Sequence, residues 1–239
     1  MAKSIGLSRN IKKQWLDKAA ELYCDNLSEN EYKNKMNEYL SFEIESPTNL
    51  RKTREILMNL WYYDNDDDIT RVRKEAGDII IRNKDMSVAM HWGMLLSVYP
   101  VFADLCKFIG RFSELSDTVV LSQLKGKLYD EWGERSTLFH STDKIIATMK
   151  DLGVIYAEKP GKYKVIKCKI SKEEVSLYLI KIAMKATGRS YYTQGEVSNF
   201  GVLFPFEYKI SREDFYNNND YLISNFGGSE TFSLKNIAV

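Results

Sequence analysis

Lys159, Lys162, Lys164, Lys167 and Lys169 fall within eleven residues, with Tyr163 among them, in the run EKPGKYKVIKCK. Flexible cations beside accessible backbone amides suit contact with phosphate oxygens rather than bond-making chemistry. On a two-residue alternation, Lys162, Lys164 and the backbone of Gly161 project from the tip of a hairpin. The same lysines equally suit a solvated hairpin whose free edge they protect from aggregation. A second set precedes them. Arg135, Ser136 and Thr137 open a segment that also holds His140 and Lys144, where hydroxyls and the first amides of a helix donate to phosphate. A third set, Arg51, Lys52 and Arg54, lies on an N-terminal helix and has a plain solvated face as its other reading.

Chemistry of the bond-making kind has little to stand on. The chain has no Walker loop, no dinucleotide glycine pattern and no nucleophile elbow. His91 and His140 are the only histidines, and each is isolated in sequence. His91 sits beside Trp92 in an apolar stretch, the setting of a core histidine. The acidic tract Asp64 to Asp68, broken only by Asn65, lacks the alternating ligands and glycine of a calcium loop and reads as a solvated junction. Neither an enzymatic role nor a metal or other cofactor is expected.

The elements that must position the basic sets follow from periodicity. Leu138, Thr142, Ile145, Ile146, Met149 and Leu152 recur at steps of three and four, which places them on one side of a helix with His140, Lys144 and Asp151 elsewhere. Gly153 ends that helix. The segments VIYA and KYKVIK then read as two strands parted by Glu158, Lys159, Pro160 and Gly161. With VVLSQLKGKLYDEW as a preceding helix, the order from Ser116 to Lys169 is the outline of a winged helix-turn-helix, whose hairpin is the wing.

Upstream, a helix over roughly residues 8 to 26 carries Ile11, Trp15, Leu16, Ala19, Leu22 and Tyr23 on one stripe. Ser28 and Glu31 form a capping box for a second helix, and Ser46 with Pro47 starts a third that turns Leu50, Thr53, Leu57 and Leu60 inward. Helices are predicted over 70–82, 87–98 and 100–111. From Met86 to Ala103 there is no charge, but a spanning helix needs about 20 apolar residues. Pro100 divides the stretch, so it reads as two buried helices and not as a membrane segment. After the wing, Ser171 caps a helix ended by Gly188, and an aromatic, asparagine-rich tail mixes short strands and turns.

The fold class expected is mainly α: a helical bundle with helix-turn-helix and winged-helix character, a small β-hairpin wing and a mixed C-terminal segment. The divisions are a three-helix region over 1–63, a bundle with the winged helix over 69–170, and a C-terminal helix and tail over 171–239. With 239 residues, 28% charged and 44% hydrophobic, the composition is that of an ordinary globular chain. Its 34 basic and 33 acidic residues leave a net charge of +1, so attraction to a polyanion must come from local patches. Three cysteines, Cys24, Cys106 and Cys168, match neither a disulfide framework nor a zinc site. With Cys24 and Cys106 read as buried and no apolar leader in MAKSIGLSRNIKKQ, a cytoplasmic, reducing setting is expected.

Four segments carry a family likeness: SRNIKKQWLDKAAELY, TNLRKTREIL, LLSVYPVFADLCKFI and WGERSTLFHSTDKIIATMKDLGVI. Together they resemble the BrxA family, small accessory proteins of BREX bacteriophage-defence systems, over roughly residues 5 to 168. The resemblance implies a helical fold with helix-turn-helix or winged-helix character, partly similar to the antitermination factor NusB, and DNA binding. It carries over only to Arg51, Lys52 and Arg54, and to Arg135 through Lys144 with the wing lysines; no reaction or cofactor comes with it. A label of inner-membrane protein attached to the family is opposed here by the interruption at Pro100.

The resulting expectation is a non-enzymatic accessory protein that binds duplex DNA with little sequence specificity, since no Asn or Gln sits mid-way along the reading helix to pair with adenine. Other defence-system proteins are expected partners. The alternatives are a protein-interaction scaffold of a defence complex and an RNA-binding module; the sequence leaves the oligomeric state open.

Overall fold

The computed structural model describes residues 5–64 and 66–235. Part of the N-terminal leader reading (residues 1–4), Asn65 of the acidic tract and the last four residues of the tail lie outside them. The chain is mainly helical. Three local signals set the first helices. α1 (Lys13–Cys24) buries Trp15, Leu16, Ala19, Ala20 and Leu22. α2 (Glu29–Ser41) starts in the Ser28/Glu31 capping box, and α3 (Pro47–Trp61) starts with Ser46 accepting from the Asn49 amide and Pro47 in the first turn. The first of these begins later than its stripe suggested. Residues 8–12 are instead a non-helical strap, and Ile11 is buried from it.

The acidic tract is a correction. It is not simply a solvated junction: Asp66 caps α4 (Asp67–Arg82), accepting from the Asp68 and Ile69 amides, and Asp64 pairs with Arg73 at 2.7 Å. Asp68 takes both Arg71 and Lys185, each at 2.7 Å. Acidic residues in a first helical turn meet the positive end of the helix dipole.

α5 (Ser87–Val98) and α6 (Pro100–Leu115) meet at Pro100 with a bend of 116°. Among the described residues no single helix is long and apolar enough to cross a membrane. α5 is the hub, packing against α3, α4, α6 and α9 (Glu173–Thr187). The last of these corrects a cap: Lys172, not Ser171, precedes the helix, and no side chain caps it. Gly188 ends it in the left-handed region, φ 67°.

The C-terminal segment is held to this hub by Trp92. Its indole donates to the Val202 carbonyl at 3.0 Å, and its ring meets Phe102, Phe204 and Phe206 edge-on at 4.9 to 5.6 Å. Gly110 allows the neighbouring contact, because a Cβ there would lie 2.2 Å from the Gly201 carbonyl oxygen. The atoms it would meet are backbone and cannot swing aside. Gly110→Ala is therefore expected to cost about 3 kcal/mol, the upper end for overpacking, read as a lower urea midpoint.

Three small sheets complete the fold: one of β1 (Val119–Val120), β3 (Lys162–Val165) and β2 (Ile155–Lys159) in that order, then β4-β6 and β5-β8-β7. β4 (Cys168–Lys169) and β6 (Phe206–Glu207) run parallel. β5 (Tyr192–Thr193), β7 (Tyr221–Phe226) and β8 (Ser229–Leu234) are antiparallel, with short helices α10 (Gln194–Ser198) and α11 (Arg212–Tyr216) between them. Buried residues of all these parts join in one hydrophobic cluster. Cys106 lies in it, while Cys24 is only half-buried, short of the full burial expected.

His91 is wholly buried, with Nε2 2.9 Å from Asp17 Oδ1 and its ring edge-on to Trp61. Burial disfavours the imidazolium and holds the His91 pKa below its ordinary 6.5, against the pull of Asp17. For Asp17 burial acts upward, but hydrogen bonds from His91 and Lys13 together outweigh it and leave the carboxyl far below its usual range. The unfolded chain thus takes a proton on His91 at a pH where the native chain does not. Stability falls as pH drops below 6.5 toward the folded value of His91, and the Asp17 contribution is lost only as pH falls from 3.8 through its own lowered value. The urea midpoint is expected to decrease between about pH 7.5 and about pH 5.5, and His91→Gln to flatten that decrease.

Candidate nucleic-acid interface

The basic sets of the middle region are positioned by six elements in sequence: α6, β1 (Val119–Val120), α7 (Leu121–Trp132), α8 (Ser136–Asp151), β2 (Ile155–Lys159) and β3 (Lys162–Val165). α7 is fastened to α6 by Trp132, whose indole donates to Asp104 at 2.9 Å. Gly133, at φ 77°, makes the three-residue turn into α8. α8 buries Leu138, Ser141, Thr142, Ile145, Ile146, Thr148 and Met149, and Gly153 at φ 72° ends it. The stripe read from the sequence is the inward face, and Thr137, His140, Lys144 and Asp151 are exposed on the other.

The far end of α8 is tied to the strap. The Ile11 amide donates to Thr148 Oγ1 at 2.9 Å, Asn10 Nδ2 donates to Asp151 Oδ2 at 2.9 Å, and Arg9 Nη2 donates to Asn49 Oδ1 of α3 at 3.1 Å. The two basic helices are thereby linked through residues 9–11.

The hairpin turns at Pro160 and Gly161, the latter at φ 72°, as a turn with positive φ at its second central residue requires. Two contacts hold it: β1 pairs with β3 in the register Val119 to Tyr163 and Val120 to Lys162, and the Leu121 amide donates to the Gly161 carbonyl at 2.9 Å. The wing tip is therefore seated against the start of α7. At that tip Lys159 lies directly opposite Lys162. Like charges so placed repel, and among the described residues no carboxylate lies within 4.0 Å of either ammonium, or of Lys144.

Lys164 does not join them. The β2–β3 register shifts between Ala157 and Lys159, leaving Glu158 in a bulge with its carboxylate 2.9 Å from Lys164 and 3.3 Å from the Thr118 hydroxyl. The hydrogen bond from Lys164 holds Glu158 below its usual range and raises the lysine in turn. Lys167 is also engaged, donating to the Phe204 carbonyl at 2.9 Å.

Two arginines are likewise committed within the chain. Arg54 is mostly covered, donating to Glu55 at 2.6 Å and to Asn37 at 3.0 Å. Arg135 is half-buried in the α7–α8 turn and donates to the Trp132 carbonyl at 3.2 Å. Both serve the protein's own packing. Arg51, Lys52, Ser136, Thr137, His140, Lys144, Lys159 and Lys162 are exposed.

One feature of this surface lay outside the sequence reading. Phe139 keeps 41% of its surface exposed on the first turn of α8, edge-on to His140 at 5.6 Å. The Lys125 ammonium of α7 lies 3.3 Å from its ring centroid and 2.6 Å from Asp143, so this cation is buried and already paired. Phe139 falls off the stripe of Leu138 and Thr142, and that displacement is the signal that marks it. Tyr156, 46% exposed, stands on the wing.

No family model, no curated protein and no solved structure matches this chain.

Proposed function

We propose that residues 100–169 form a winged helix-turn-helix that grips duplex DNA through phosphates. α8 acts as the reading helix and the β2–β3 hairpin as the wing. Three features support this: the order helix, β1, helix, helix, hairpin; the sheet order β1-β3-β2; and an outward face of α8 that carries Thr137, His140 and Lys144. The observation that carries the reading is the pair Lys159 and Lys162. Two exposed lysines opposed in register at a fixed tip, neither in an ion pair within 4.0 Å among the described residues, gain most from a phosphate placed between them.

Binding of this kind is electrostatic and weakly specific, because lysines and hydroxyls contact the backbone and no side chain on the exposed face of α8 has the bidentate amide that reads adenine. The role is non-enzymatic. Together with the resemblance to BrxA, the reading places the protein as a DNA-binding accessory component of a BREX-like bacteriophage-defence system, working beside other proteins of that system.

The test is the anisotropy of a labelled duplex titrated between about 50 and about 200 mM salt. Three lysine–phosphate contacts predict log K falling against log salt with a slope of about −2.7. Absence of binding at the low-salt end, or a slope near zero, overturns the reading. Tighter binding of a structured RNA than of the duplex assigns the surface to RNA instead.

A further inference from the structure

β7 is the outermost strand of the β5-β8-β7 sheet, and no strand among the described residues pairs with its free edge. The direction of its backbone groups is fixed by two contacts. Thr231 Oγ1 donates to the Ser224 carbonyl at 3.2 Å, and the Lys235 amide donates to the Asp220 carbonyl at 2.9 Å, so the even-numbered carbonyls face β8. Alternation then aims the N–H and C=O groups of Ile223 and Asn225 outward. Among the described residues these groups have no partner.

Edge strands are ordinarily protected by lysine, proline or a bulge. YLISNF has no charge and no proline, and its register with β8 runs unbroken from Tyr221 to Phe226. On the other face Tyr221 is buried and Ile223 packs half-buried against the core, while Asn225 at the far end is exposed. The even-numbered ones leave Leu222 44% and Phe226 63% exposed, and Tyr191 packs on Phe226 at 5.1 Å.

We propose that β7 pairs antiparallel with β7 of a second copy of this chain, about a two-fold axis at Ser224. Two independent requirements select that one register. Hydrogen bonding needs outward-facing residues opposite each other, and the axis at Ser224 sets Ile223 of each copy against Asn225 of the other. The same axis brings Leu222 of each copy onto Phe226 of the other, on the face where both are exposed, so the apolar side chains cover one another. An isologous contact of this kind closes on itself.

Electrostatics favours a copy of the chain over a charged partner. The strand offers no charge to recognise, and its neighbours are neutralised internally: Arg212 pairs with Glu230 at 2.8 Å, and Asp220 with Lys181 at 2.6 Å. Self-apposition therefore sets no like charges together. The result is a continuous sheet across two subunits.

Sedimentation of the full chain at roughly 100 µM, a concentration suited to a small interface, is expected to show twice the 27.7 kDa chain mass. Ser224→Lys puts two ammonium groups across the axis and is expected to give the single-chain mass with an unchanged thermal transition. A second measurement reads the register. In a Cys24→Ser, Cys168→Ser background, Ser224→Cys is expected to cross-link on mild oxidation, because opposed residues of the wide antiparallel pair stand about 4.5 Å apart. Leu222→Cys is expected not to. A wild-type chain at single mass, a dimer that survives Ser224→Lys, or cross-linking of Leu222→Cys equal to that of Ser224→Cys overturns the proposal.

Discussion

Replacing Lys144, Lys159 and Lys162 together by Ala is expected to lower duplex affinity on the order of a hundredfold at low salt and to flatten the salt slope by about 2.7. Each contact releases a condensed counterion, so the losses of affinity and of salt dependence share one origin. These three positions lie together on the outward face of α8 and at the wing tip, and among the described residues no carboxylate lies within 4.0 Å of their ammonium groups. Lys164→Ala provides the contrast. Its ammonium is already held by Glu158, so its removal is expected to leave the slope unchanged, whereas Glu158→Gln frees Lys164 and is expected to tighten binding. Anisotropy titrations of the four proteins in parallel distinguish a wing that holds phosphate from one that is only solvated. Equal effects of Lys162→Ala and Lys164→Ala would remove the tip pair from the account.

The largest expected loss of stability is at Arg73. This guanidinium is fully buried and closes the end of α3, where the last carbonyls of a helix lack partners. Nε donates to Leu60 O at 2.8 Å, Nη2 to Tyr63 O at 2.8 Å, and Nη1 to Asp64 Oδ1 at 2.7 Å, with Asn59 O and Tyr62 O at 3.3 and 3.4 Å. Burial alone lowers the arginine pKa, and Asp64 offsets part of that. Asp64 stays in solvent, but Arg73→Met leaves several carbonyls unpaired inside the protein at about 1 to 3 kcal/mol each, a total of about 3 to 5 kcal/mol. For a chain of this size that corresponds to a thermal transition lowered by roughly 6 to 12 °C. Arg73→Lys keeps the charge but not the planar fork, so it is expected to recover only part of the loss. A transition unchanged in Arg73→Met would show that these carbonyls find other partners.

The elements legible in the sequence are those written in neighbouring residues. Ser46 with Pro47, Ser28 with Glu31, and Pro100 each set a helix end through contacts within a turn or so, and the structure places those ends there. The inward face of α8 was equally plain, since a stripe at steps of three and four needs no knowledge of its partner. What escaped depends on residues distant in sequence or on register. Arg73 reads as one more charge on an amphipathic helix until the end of α3 is brought against it. Lys164 reads as a twin of Lys162 under strict alternation, and only the bulge at Glu158 separates their roles. Arg54 and Arg135 were picked out by charge, but Asn37, Glu55 and the Trp132 carbonyl had already claimed them. A two-residue strand such as β1 carries too little pattern to be seen, although it anchors the wing.

The strap at residues 9–11 means that the tilt of α8 is governed by a stretch 137 positions earlier in the chain. An excised fragment spanning residues 100–169 would have nothing to lean on along that flank, leaving Thr148 and Asp151 without their tethers. The outward face of α8 is consequently presented by the whole molecule, and residues 9–11 act as the set-screw for a part made much later.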